Sequence, residues 1–184
     1  IIRKLFKGIN KIMRRIIINT TIILIAFAIQ NCAFPFIPFL SAAPNLMIIF
    51  VFTCSFIYGQ REGMFYGFIT GVLMDLFYSG PFGFFTIIFV WIGYVNGTLS
   101  KYFYEDYIVL PLAICSVNEI VYNLFIFIFR FFVRGKADFL YYFRIIILPE
   151  MIITLLFTLF LYRFLLAYNR KLEEIDIKRG QKVA

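Results

Sequence analysis

The chain has 184 residues, 62% of them hydrophobic, with 26 Phe and 12 Tyr and a mean hydropathy of +0.90, which is more apolar surface than one soluble core can hide; it reads as a membrane protein. Its net charge of +8 sits at the two ends and in short connections beside apolar runs, where Lys and Arg set orientation and meet lipid headgroups, so a nucleic-acid partner is not expected. There is no His, and Cys32, Cys54 and Cys115 are far apart without C-x-x-C spacing, so the usual general base and the common metal and redox motifs are missing; with no H-E-x-x-H or G-x-S-x-G either, neither an enzyme nor a cofactor is expected.

Residues 1–15 interleave Arg3, Lys4, Lys7, Lys11, Arg14 and Arg15 with apolar side chains at helical spacing, the pattern of a basic amphipathic segment on the cytoplasmic membrane surface. Residues 16–167 are expected to form six transmembrane helices, and 168–184 a charged cytoplasmic tail. The first span, Ile16 to Phe34, contains Gln30 and Asn31 near its end and is stopped by Pro35. It lacks a small-x-small cleavage site and reads as a retained helix, not a signal peptide. After an uncharged Pro-rich connection comes span two, Asn45 to Tyr58. It is short enough that it must be thinly covered, little tilted or packed among its neighbours. Residues 59–63 are expected to be a tight turn.

Span three, Met64 to Tyr78, follows on from Gly63 and shares with it Gly67, Gly71 and Asp75 at intervals of four. On a helix these form one slowly drifting stripe of small residues that ends in a carboxylate. Such a stripe either docks a partner helix or packs inside the protein's own bundle, and Asp75 is either a site or a hydrogen-bond acceptor there. Span four, Gly83 to Leu99, holds a second small-residue pair, Gly93 and Gly97, beside Asn96. Span five, Ile108 to Phe129, places Ser116, Glu119 and Asn123 on one face, with Glu119 near mid-membrane, and is expected to carry an intramembrane polar network.

The connection from 130 to 144 holds Arg130, Arg134, Lys136 and Arg144. It is expected to be an outer basic loop, with Arg130 at the level of Asp75 and able to pair with it. Span six, Ile145 to Leu166, has Pro149 and Glu150 in its first turns, where an acid suits a helix N-terminus. Six basic residues before span one and five after span six place both termini in the cytoplasm, which requires an even number of spans. The basic outer loop runs against that charge rule.

The pattern G-x-x-x-G-F-x-x-G-x-L-x-D, followed by a turn and a glycine that opens the next helix, is here Gly63, Gly67, Phe68, Gly71, Leu73, Asp75 and Gly83. It resembles the bacterial rod shape-determining family MreD. Length, six apolar spans, the basic start and Pro44-Asn45-Leu46 at the opening of span two extend the resemblance over nearly the whole chain. It implies a non-enzymatic cytoplasmic-membrane component of the cell-elongation machinery, which scaffolds or regulates peptidoglycan synthesis together with an MreC-like single-pass protein, RodA and penicillin-binding enzymes. It also implies an all-α fold similar to the membrane substrate-binding subunits of energy-coupling-factor transporters. A small-molecule-binding transporter subunit, with Asn118, Glu119 and Asn123 lining a cavity, is the alternative reading.

Overall fold

The computed structural model describes residues 2–36, 43–78, 81–102, 109–131 and 138–181, which are helical apart from short connections. The first helix, α1 (Ile2–Ala28), passes without a break from the basic segment into the apolar run and ends in a π-helical turn (Ile29–Ala33) and a 3-10 turn (Phe34–Phe36) at Pro35. Then come α2 (Leu46–Tyr58), α3 (Gln60–Phe77), α4 (Phe84–Leu99) and α5 (Val109–Ile126). A short α6 (Phe139–Tyr142) runs through a π-helical turn (Phe143–Ile147) into α7 (Leu148–Gln181), with right-handed helical backbone at both junctions. Helix α7 continues well past residue 168, so its backbone carries the charged tail on as helix.

Among the described residues, three stretches are long and apolar enough to cross a membrane: Met13–Ala33, Pro111–Phe129 and Phe139–Tyr168. Helices α2 and α4 are apolar but shorter. With 13 residues, α2 is about 20 Å long, against a hydrocarbon layer of about 30 Å. Every residue from Leu46 to Phe56 is buried, which suits a helix that is apolar all round. Helix α2 is therefore a central post packed among its neighbours: α3 and α4 cover it on one side, α7, α1 and α5 on the others.

The expected five-residue turn before span three is a single residue. Gly59 ends α2 and starts α3, with φ 87° and ψ −174°, a backbone region open essentially to glycine alone. The next four residues already belong to α3. At this end of the bundle Arg15 of α1 pairs with Glu62 of α3, its guanidinium lies 4.2 Å from the centre of the Tyr58 ring, and Asn19 Nδ2 donates to the Tyr66 hydroxyl at 3.1 Å.

The most extensive helix contact joins α3 to α4, and the two glycine patterns are its two halves. Gly63 lies against the Gly93 backbone, Gly67 against Phe89 and Val90, Gly71 against Thr86, and Gly97 against Gln60. A Cβ on any of these glycines would strike backbone across the seam. Of the two readings of the stripe, packing inside the bundle is the one this geometry fits, since the α4 backbone lies against it. In an apolar surrounding this close approach brings dispersion contact that larger residues would prevent.

Pro149 also acts differently from expectation. It sits inside a continuous helical run, where its ring conflicts with the carbonyl of Ile145 and its missing N–H leaves a gap, and the π-helical turn Phe143–Ile147 lies immediately upstream. Glu150 thus lies well within the rod that begins at Phe139, not at a free helix N-terminus.

Gly67→Leu should force α3 and α4 apart and cost about 1–3 kcal/mol or more. The expected outcome is less folded protein in the membrane and a lower melting temperature in detergent extract. Normal abundance and stability would show that the seam is not tightly closed.

Candidate functional site

The last turn of α3 and the first turn of α4 meet at Asp75. Helix α4 begins after Gly83, whose left-handed backbone (φ 98°) turns the chain so that its opening amides face back toward α3. Asp75 Oδ2 accepts from Gly83 N at 3.0 Å, Thr86 N at 3.0 Å and Thr86 Oγ1 at 2.6 Å, and Oδ1 accepts from Phe85 N at 2.9 Å. One carboxylate thus serves helix-end donors that have no intrahelical partner and meets the positive end of the helix dipole. Asp75 fastens the open end of the glycine seam. The side chains of Arg130, Arg134 and Lys136, where the outer basic loop was expected, lie outside the described residues.

On α5, Glu119 is 1% exposed and Asn123 is also buried. Asn123 Nδ2 donates to the Glu119 carbonyl at 3.2 Å and to Glu119 Oε1 at 3.4 Å. Ser116 does not join them: its hydroxyl turns back to the Leu112 carbonyl at 2.8 Å, the local bond that serine makes readily inside helices. Asn118 points elsewhere too, exchanging two side-chain bonds with Asn96 of α4 at 3.1 and 2.9 Å. The acidic neighbour of Glu119 is Glu150 of α7, close enough for the two carboxyls to influence each other, with the Asn45 and Asn123 side chains beside them.

Asn45 also starts α2. Its Oδ1 accepts from Ile48 N at 3.3 Å, Gln30 Oε1 accepts from Met47 N at 3.3 Å, and Asn45 N donates to Thr154 Oγ1 at 3.0 Å. The polar residues near the end of α1 and the start of α2 therefore satisfy the first amides of a helix that begins inside the bundle. Nearby, the Tyr78 hydroxyl donates to Asn31 Oδ1.

These groups surround a cavity of about 480 Å³ at the end of the bundle where α1 and α3 finish and α2 begins. Gln30, Asn31, Asn45, Asn123 and Glu150 give it polar walls, and Tyr78, Phe85 and Tyr122 give it aromatic ones. Among the described residues no set of three His, Cys, Asp or Glu side chains is placed to hold a metal. Ser116, Asn118 and the glycines do not line the cavity, so of the polar residues singled out on α5 only Asn123 reaches its wall. Glu150 was hidden by its position: three residues after Ile147 and beside a proline, it reads as a helix start, whereas an acid in an apolar run is itself a signal.

Compared with known families, residues 10–172 match the family model described as rod shape-determining protein MreD. The chain belongs to the MreD family. Neither the curated proteins nor the solved structures returned a match. Within this MreD chain, the motif residues Gly63, Gly67, Gly71, Asp75 and Gly83 all act in one place, the α3–α4 hairpin.

Asp75→Ala should cost about 1–3 kcal/mol through the orphaned donors of α4. Because that loss is internal to the hairpin, it should add to the effect of Arg130→Ala within about 0.5 kcal/mol. A larger coupling in the double-mutant cycle would mean that Arg130 shares the carboxylate.

Glu119→Gln keeps a hydrogen-bonding group of the same shape against Glu150 and Asn123, and should leave melting temperature nearly unchanged. Glu119→Leu removes a buried acceptor and should cost about 1–3 kcal/mol. Equal stability of the two variants would contradict a structural role for the buried Glu119 acceptor.

Proposed function

We propose that the chain is a non-enzymatic component of the bacterial cell-elongation machinery, spanning the cytoplasmic membrane six times with both termini in the cytoplasm. It scaffolds or regulates peptidoglycan synthesis through helix contacts with an MreC-like single-pass protein, RodA and penicillin-binding enzymes. The family match over residues 10–172 carries this reading. The bundle is consistent with it: polar side chains turn inward, while Ile87, Trp91 and Tyr94 of α4 and Val117, Leu124 and Phe125 of α5 present exposed apolar surface. With the stripe closed by α4, partner helices have to meet surfaces of this kind. The short helices α2 and α4 cross by resting against longer neighbours. A transporter-subunit role is not favoured, since the family match points to cell shape, and likeness to energy-coupling-factor subunits remains part of the proposal.

The test is complementation. In a rod-shaped bacterium depleted of its own MreD, the chain should restore rods, and an affinity-tagged copy should recover the MreC-like protein from detergent extract. Round cells despite normal membrane levels of the chain, with no such partner recovered, would overturn the proposal.

A further inference from the structure

Helices α1 and α7 both extend past the end of the bundle where α2 stops. Helix α1 begins at Ile2 and α7 ends at Gln181, whereas α2 ends at Tyr58, whose ring meets the Arg15 guanidinium. Just inside that end, Asn19 and Ile22 of α1 and Leu165 of α7 line one crevice together with Cys54 of α2. The two helices run in opposite directions there, because α1 enters the bundle where α7 leaves it, and beyond Tyr58 nothing of α2 stands between them. A basic segment lying on the membrane surface has to turn sharply into its span, and sharp turns in helices ordinarily come at Pro, at Gly/Ser pairs or at π-bulges. Helix α1 is instead one uninterrupted α-helix from Ile2 to Ala28.

The buried seam of α1 in the bundle, Ala26, Ile23 and Asn19, continues along the sequence as Ile16, Ile12, Ile9, Leu5 and Ile2, with steps alternating between three and four. The inward seam of α7, Thr154, Thr158, Leu161 and Leu165, continues in the same alternation as Tyr168, Leu172 and Ile175. Alternating steps of three and four are the signature of two helices that pack along a shared seam. With Asn19 level with Leu165, antiparallel order sets Ile16 opposite Tyr168, Ile12 opposite Leu172 and Ile9 opposite Ile175. A slip of one residue would set Ile12 against Lys171 or Glu173, and Ile9 against Glu174 or Asp176. In the matched register the acids Glu173, Glu174 and Asp176 come level with residues 8–11, between Lys7 and Lys11, so the charges are complementary as well. We propose that the extension of α7 covers the apolar stripe of the α1 extension, and that the two form an antiparallel coiled coil projecting from the bundle. Helices this short are marginal in water by themselves, but these are already nucleated by their spans and held at one end, so each layer adds contact at little further ordering cost. The pairing holds whichever side of the membrane this end faces.

The test is disulfide formation in the full chain in native membranes, with Cys32→Ser so that only the buried Cys54 and Cys115 remain of the natural thiols. On mild oxidation, Ile12→Cys with Leu172→Cys, and Ile9→Cys with Ile175→Cys, should close a bond within one chain. Both should react about tenfold faster or more than Ile12→Cys with Glu174→Cys, whose second position lies on the far face of α7 and points away. Should a double variant fail to accumulate, a photoreactive benzoylphenylalanine at Ile12 alone decides: it should label residues 168–179 of its own chain. Equal rates for all three pairs, bonds that join two chains, or photolabelling of lipid with none of the α7 extension would overturn the proposal.

Discussion

The structure depends on the contact of two backbones. Between helices in lipid there is no hydrophobic driving force to hold them together, because lipid tails are as apolar as the side chains; what remains is dispersion at short range and the hydrogen bonds of the few polar groups. Helices α3 and α4 take both. Gly63, Gly67 and Gly71 on α3 and Gly93 and Gly97 on α4 put no side chain between the helices where they lie, and there the seam closes to backbone contact. Asp75 then ties the far end by accepting from the first turn of α4. The cost of three glycines in one helix, about 1 kcal/mol each relative to alanine, is offset by contact that no larger residue permits.

The other helices are arranged by this hairpin. Helix α2 is joined to it through Gly59 and lies buried against both of its members, so a 13-residue helix need not meet lipid along its length. Helices α1, α5 and α7 pack around α2, and the start of α2 and the π-helical turn Phe143–Ile147 that leads into α7 border the polar cavity. Gln30, Asn45 and Thr154 meet there because the amides opening α2 lie inside the bundle and must be satisfied by protein.

Much of this was legible in the sequence, for a physical reason. Runs of apolar residues bounded by Gly, Pro and charges locate helices well, and the helices lie close to the expected spans. The four-residue interval of Gly63, Gly67, Gly71 and Asp75 marks one face whatever that face meets. What meets it was not legible: a small-residue stripe has the same spacing whether its partner is another protein or the next helix of the same chain, and only the position of Gly93 and Gly97 opposite resolves the choice. Ser116, Glu119 and Asn123 share a face by periodicity, yet a serine hydroxyl can satisfy itself on its own backbone and leave the group. Pairings such as Glu119 with Glu150 and Asn96 with Asn118 depend on rotation and depth of separate helices, which one sequence does not encode locally. Membership of the MreD family adds the cellular role, which no spacing contains.

The central claim is that the glycine stripe is closed by the protein's own α4 and not left for a partner. Magic-angle-spinning NMR of the full chain, carrying ¹³C-labelled glycine and reconstituted alone in bilayers, tests it most directly. A cross-peak between the backbone carbons of Gly63 and Gly93 in the absence of any other protein is the expected result; assigned signals from both glycines with no cross-peak between them would contradict the account.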